Sequence, residues 1–272
     1  MEMRLQPVCA VRETCKCCGA DAPPFGVVDF HKNCEILRRK VLGVSGVPIY
    51  YHRCPECGFL FTTAFDGFTT NDFRRHIYND DYVLVDPDYR GDRALANADM
   101  LLSLFRAARP ERVLDYGGGN GALAAHLRAA GFDDVKMYDP FVPEHAERPE
   151  GRFDCVVCFE VVEHSTDPEY TFADMCDFLD EPGLILFSTL LQPPDIECQG
   201  LNWWYAGPRN GHVSLFSPAS LRMIVEPLGY GLASFNQNLH VLFREIPDFA
   251  RHFLIPRDAH RYANYTTTVL AC

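Results

Sequence analysis

The sequence predicts an α/β protein in which a small cysteine-rich unit precedes a mostly parallel sheet covered by helices. Three observations carry this expectation. Strand-like and helix-like stretches alternate from about residue 112 onward. The stretch Val113-Leu114-Asp115-Tyr116-Gly117-Gly118-Gly119-Asn120-Gly121 runs from an apolar strand through an acid and glycines into a helix. Residues 1–66 hold seven of the twelve cysteines and contain two Cys-x-x-Cys-Gly knuckles.

Taken in order, residues 1–66 read as a small loop-rich unit. Residues 67–110 read as a connecting segment, polar and aromatic from Thr69 to Tyr89, followed by a helix. That helix shows 3.6-residue spacing at Leu95, Ala98, Leu101, Leu102 and Phe105 and is closed by Pro110. Strands are expected at Arg112–Tyr116, Val135–Tyr138, Phe153–Phe159 and Gly183–Leu190, with helices at Gly121–Ala130 and Pro168–Leu179. Ser217-Pro218 supplies an N-cap and a first-turn proline for a further helix. Gly231–Phe235 and His240–Arg244 suit a closing antiparallel hairpin. The sheet domain is thus expected over residues 111–247, with a C-terminal extension at 248–272.

The net charge of −12 argues against a broad phosphate-binding face, and therefore against nucleic acid as the partner. Apolar stretches such as Leu184–Leu191 are too short to span a bilayer, and Met1–Ala10 lacks a secretory pattern, so a cytoplasmic location without membrane association is expected. In a reducing compartment the cysteines read as metal ligands or small core residues. Cys155 and Cys158 form a Cys-x-x-Cys within a strand. Residues three apart on a strand face opposite sides, so these two cannot share a metal.

The glycine loop lets the backbone turn tightly and approach a ligand, and the helix that follows offers free N–H groups to an anionic ligand group. Eighteen residues beyond Gly121, Asp139 ends the next strand, where a carboxylate can take both hydroxyls of a ribose. These features alone indicate a nucleoside cofactor. Gly117, Gly119 and Ala122 also satisfy the dinucleotide pattern, which keeps NAD open at this point.

The motif set resembles the class I S-adenosylmethionine (SAM)-dependent methyltransferases. Asp115-x-Gly117-x-Gly119-x-Gly121 resembles their first motif, and Asp139 their ribose-binding acid. The segments from Phe153 to His164 and from Gly183 to Thr189 resemble the next two motif strands, and Gly211–Ser217 resembles a segment of the ubiquinone-type O-methyltransferases. The resemblance implies a Rossmann-like seven-stranded sheet and an enzyme using SAM, with Asp115, Gly117, Gly119, Gly121, Asp139, Phe141 and Phe159 as cofactor-binding residues. Only about a dozen residues separate Asp139 from Phe153, too few for the family's usual helix and full third strand.

Glu160, Glu163 and His164 follow an i, i+3, i+4 spacing, so on a helical turn they would share one face and form a divalent-metal site. The same Glu-x-x-Glu-His text resembles the ubiquinone-biosynthesis O-methyltransferases and the small-RNA 2′-O-methyltransferases. That resemblance implies His212 as a further ligand and Mg2+ or another divalent metal as activator of a hydroxyl. A metal-free general-base role for His164 or His212, or a structural turn, are the other readings. Trp203-Trp204-Tyr205 and Arg209 lie on a loop suited to closing over a ligand or, equally, to packing.

Cys15 and Cys18, with Cys54 and Cys57, are expected to hold a structural zinc ion through four thiolates. This front end resembles the zinc-binding domain of sugar C-methyltransferases of deoxysugar pathways, which carry a large C-terminal domain that has no counterpart here. The leading expectation is methyl transfer from SAM to a small molecule or glycan, at oxygen. The alternatives are C-methylation of a nucleotide-linked deoxysugar, modification of RNA, and a non-catalytic SAM-binding or zinc scaffold.

Overall fold

The computed structural model describes residues 11–38 and 41–255. The remainder of the C-terminal extension, residues 256–272, lies outside the described residues. The front of the chain forms strands β1 (Glu13–Thr14), β2 (Asp21–Ala22), β3 (Pro24–Asp29), β4 (Pro48–Arg53) and β5 (Leu60–Phe61). Three helices follow: α1 (Thr70–His76), α2 (Tyr82–Val85) and α3 (Asp92–Leu104). The alternating part comprises β6 (Arg112–Tyr116), α4 (Ala122–Ala129), β7 (Asp134–Tyr138), β8 (Phe153–Phe159), α5 (Pro168–Asp177) and β9 (Leu179–Ser188). The chain continues through α6 (Ile196–Gln199), β10 (Ser214–Leu215), α7 (Pro218–Val225), β11 (Gly231–Ser234), β12 (Leu239–Phe243) and α8 (Arg251–Leu254).

The central sheet has the order β11-β12-β9-β8-β6-β7. The strands β7, β6, β8 and β9 are parallel, and β12 and β11 close the sheet antiparallel as the expected hairpin. Six strands, not the seven implied by the family resemblance, form this sheet among the described residues. The segment between β7 and β8 is occupied by a single short turn at Pro143–His145, which leaves β7 at the edge.

Side-chain alternation divides the core cleanly. Val113, Cys155, Val157, Leu184, Leu186 and Val241 face α3 and α4, whereas Leu114, Val156, Cys158, Ile185, Phe187 and Leu242 face α5 and α7. Cys155 and Cys158 therefore lie on opposite faces, both fully buried, as the strand geometry requires.

The Ser217-Pro218 signal acts as anticipated, whereas the cap at Thr69 falls in a segment expected to be a connector. Ser217 accepts the Ser220 amide at 3.0 Å ahead of α7, with Pro218 in the first turn. Thr69 caps α1 through a reciprocal pair with Asp72.

The front unit is built into the rest of the molecule. β10, far along the chain, pairs with β5, so the second sheet runs β10-β5-β4-β3. Cys15, Cys17, Cys54, Cys57, Phe59 and Phe61 pack into the same core as α5 and α7. Among the described residues no helix is long and apolar enough to cross a membrane.

Candidate active site and thiolate cluster

At the C-terminal ends of the parallel strands lies a cavity of about 580 Å³. Gly117, Gly119, Asp139, Phe141, Glu160 and His164 line it, together with Arg93 of the expected helix and with residues of the segment expected to be only a connector: Phe73, Arg74, Tyr78, Tyr82, Asp86 and Tyr89. That segment is helical and forms one wall. Its aromatic rings interlock edge to face, Tyr78 with Tyr82 at 5.2 Å and Tyr82 with Tyr89 at 5.3 Å between centroids. The aromatic content of this stretch was visible in the sequence, but its place at the cavity was not.

The glycine loop sits where expected. Gly117 has φ +73° and lies directly against Val161, where a Cβ would collide with the Val161 side chain. Asp139 spans the cradle: its Oδ2 accepts the Gly119 amide at 2.9 Å and its Oδ1 the Phe141 amide at 2.8 Å. Each carboxylate oxygen retains a lone pair for a ribose hydroxyl. Phe141 packs edge to face on Phe73 and Tyr78.

Three of the expected cofactor residues stand off the cavity wall. Asp115 is buried beneath the loop, and burial raises its carboxyl to about 7. Gly121 is the left-handed cap of α4, at φ +76°. Phe159 is not among the residues lining the cavity. It follows Cys158 on β8, so alternation turns it to the α3–α4 face, where it packs half-buried.

The Glu-x-x-Glu-His segment does not form one helical face. Glu160 has φ +57°, a left-handed conformation, and precedes a short 3-10 turn at Val162–His164. Its backbone N–H donates to Ser188 Oγ at 2.9 Å, and that hydroxyl donates back to Glu160 Oε1 at 2.8 Å, holding the residue at the cavity. The spacing-based grouping of Glu160 with Glu163 and His164 is therefore corrected, because its premise was a continuous helical turn.

Glu163, His164 and His212 do come together, with ligand atoms within 4.8 Å of one another. Glu163 is fully buried. Its Oε1 accepts the Tyr205 hydroxyl at 2.7 Å, its Oε2 has no partner, and burial raises the carboxyl to about 8. Burial lowers His164 to about 4 and His212 well below the usual imidazole range, so both rings are neutral. The rings meet edge to face at 4.9 Å. His164 Nδ1 lies 3.2 Å from Gly211 O and His212 Nδ1 lies 2.8 Å from Tyr205 O, which assigns each Nδ1 as the protonated nitrogen.

The charges lining the cavity are mostly acidic: Asp86, Asp139, Glu160 and Asp167 against Arg74 and Arg93. Arg93 spends its fork on Asp86, at 2.6 and 3.1 Å. Such a wall favours a cationic ligand centre. Arg209, a candidate for meeting an anion, is instead buried and donates to Ile77 O and Asn79 Oδ1, both at 2.9 Å. Trp203 and Tyr205 are likewise core residues.

Within the front unit, Cys15, Cys18, Cys54 and Cys57 form a second cluster. Cys15 and Cys57 sulfurs lie 3.6 Å apart, and Cys18 and Cys54 sulfurs 3.5 Å apart. Four thiolates about 2.3 Å from a zinc ion stand about 3.8 Å from one another, so the cluster needs little adjustment to hold one. The two knuckles match locally: Gly19 and Gly58, both at φ +72°, donate to the carbonyls of Cys15 and Cys54 at 2.9 Å. Cys17 is turned away toward Ser220 O and is not a ligand of this cluster.

Comparison with known proteins agrees with this architecture. A family model described as "Methyltransferase domain" matches residues 89–234, more than half of the chain, and the chain belongs to that family. Among solved structures, an O-methyltransferase family protein from Burkholderia thailandensis is similar at 17% identity and TM-score 0.50, over 65% of this chain and 63% of that one. The chain thus spans less than two thirds of that relative's length, and the likeness shows the fold. Magnesium protoporphyrin IX methyltransferase from Synechocystis PCC 6803, with bound SAH, is similar at 17% identity and TM-score 0.43, over 65% of this chain and 94% of that one. A search of curated proteins finds no match.

Proposed function

We propose that this chain transfers the methyl group of SAM to a hydroxyl of a small-molecule or glycan acceptor. The observation that carries this reading is a single cavity that joins the Gly117–Gly119 loop and Asp139 to His164 and the tyrosine wall, so donor and acceptor share one chamber. The acidic lining suits the sulfonium. In the reaction the C–S bond breaks as the new C–O bond forms, the sulfur keeps the electron pair, and the hydroxyl proton leaves to base or solvent. Neutral His164, with its proton assigned to Nδ1, offers a lone pair on Nε2 to orient that hydroxyl.

The charge balance favours an acceptor without phosphate groups over a nucleotide-linked sugar, since four carboxylates face two arginines and one of these, Arg93, is already held by Asp86. The aromatic wall of Tyr78, Tyr82, Tyr89 and Phe141 suits a flat ring or a sugar face.

A metal-assisted variant is favoured by one specific observation, the unpartnered buried Oε2 of Glu163 beside two neutral imidazoles. Glu163, His164 and His212 would be the ligands. Two imidazoles and a carboxylate suit a transition metal or zinc, and they do not suit Mg2+, which prefers oxygen donors and water. The four knuckle cysteines would hold a structural zinc, which supplies crosslinking of the front unit.

Two measurements test these assignments. SAM binding is followed by calorimetry, and S-adenosylhomocysteine release is followed across phenolic and sugar acceptors; tight binding with no release from any acceptor would support the scaffold alternative. Metal content is compared for wild type, Glu163→Gln and Cys54→Ser. Loss of zinc only in Cys54→Ser, with no second metal in wild type after Mn2+ or Zn2+ addition, would sink the metal-assisted variant.

A further inference from the structure

The front unit reaches His212 at two points, the Cys34 sulfur 3.5 Å from its ring Nδ1 and a buried hydroxyl on its backbone carbonyl. Tyr51 lies on β4, fully buried, and its phenol donates to the backbone carbonyl of His212 at 2.6 Å. His212 is also held by its backbone N–H, which donates to Gly207 O at 3.2 Å, and by its ring, through Nδ1 to Tyr205 O at 2.8 Å. Its ring supports that of His164, which lines the cavity.

Neighbouring bonds run both ways between the same two segments. The Thr62 amide donates to Val213 O at 3.1 Å, the Cys34 amide to Asn210 Oδ1 at 2.9 Å, and the Arg209 amide to Lys32 O at 3.1 Å. Lys32 Nζ also donates to the carbonyls of Trp203 and Ala206. Residues 203–215 are therefore gripped along their length by residues 32–62.

Filling the core at position 51 needs no hydroxyl, as the neighbouring buried Ile49 and Leu60 show. A hydroxyl buried there is costly unless it is bonded, and its bond goes to the residue beneath the cavity imidazole. We propose that Tyr51 is a positioning residue that fixes His212 and, through ring contact, His164, so that the front unit completes the reaction site. This inference rests on the reading that His164 faces the acceptor.

The test is Tyr51→Phe, which keeps the ring and removes the bond, with Tyr50→Phe as control. Tyr50 is 41% exposed on the other face of β4. Imidazole resonances are recorded on histidine-labelled protein and assigned with His164→Gln and His212→Gln, and SAM affinity is measured in parallel. The expected result is displaced His164 and His212 signals in Tyr51→Phe alone, with His126 and His145 unmoved and SAM affinity within twofold of wild type. Unmoved His164 and His212 signals would overturn the proposal. So would displacement spread equally over His126 and His145, which would make Tyr51 an ordinary core residue. Absence of SAM binding by the wild-type protein would remove the methyl-transfer reading, while the resonance test would still decide the role of Tyr51.

Discussion

The carboxylate of Asp139 holds the amide of Gly119 at 2.9 Å and so ties the end of β7 to the glycine loop after β6. With its other oxygen on the Phe141 amide, it keeps both sides of the proposed ribose site in place. Asp139→Asn keeps the shape but turns a donor toward one of these two N–H groups. The expected outcome is a loss of SAM affinity of more than about tenfold, or about 1.4 kcal/mol, with little change in melting temperature. Calorimetric titration of both proteins at equal pH checks it, and unchanged affinity would remove Asp139 from the cofactor site.

Asp115 carries a pH signature. Burial raises its carboxyl from 3.8 to about 7, and its Oδ2 has no partner. The folded state therefore favours the protonated acid. The associated stability is present in full below about pH 4 and is lost as pH rises to about 7. A shift of this size corresponds to at most about 4 kcal/mol. Asp115→Asn should flatten this part of the stability profile and be more stable relative to wild type at pH 8 than at pH 4. Denaturant unfolding at the two pH values decides it; parallel profiles for both proteins would exclude the assignment.

How much of this was legible in the sequence depends on the range of each interaction. β6 and β8 begin and end at the expected residues, because short apolar runs are local signals. The Ser217 cap was legible for the same reason. Glu160 was misjudged, because its i, i+3, i+4 spacing implies a face only if the backbone is helical, and no residue pattern announced a positive φ at a glutamate. Phe159 could have been placed correctly by the same alternation that separates Cys155 from Cys158. The wall made by Tyr78, Tyr82 and Tyr89, and the bond from Tyr51 to His212, join distant parts of the chain. No local pattern encodes them.

The thiolate cluster and the sheet share a core, so a change at one knuckle should be felt by the whole chain. Cys57 O accepts the hydroxyl of Ser217, the cap of α7, at 2.6 Å, and Gln192 Nε2 bridges Gly58 O and Leu215 O at 2.7 and 2.8 Å. Cys54→Ser is expected to abolish zinc retention and to cost more than about 4 kcal/mol of stability, a size associated with loss of a structural metal. Metal analysis and thermal unfolding in one preparation measure both. Zinc loss without destabilisation would show that the front unit holds its shape without the ion.

The two loop glycines should differ in a definite order. At Gly117 an added Cβ meets Val161 at once, and φ is +73°, so Gly117→Ala combines backbone strain with a collision against the chain that carries Glu160. At Gly119, φ is +55° but the nearest atom is Tyr89 Oη at 3.8 Å, an ordinary contact. Gly119→Ala should therefore cost only the left-handed penalty, about 1–2 kcal/mol, and retain measurable SAM binding. Gly117→Ala must also push Val161 and the adjoining residues out of place, which should abolish SAM binding at any practical concentration. Calorimetry on the pair, with unfolding measured alongside, provides the check. Equal losses at both positions would mean that strain alone, and not the packing of Val161 against the loop, governs the cofactor cradle.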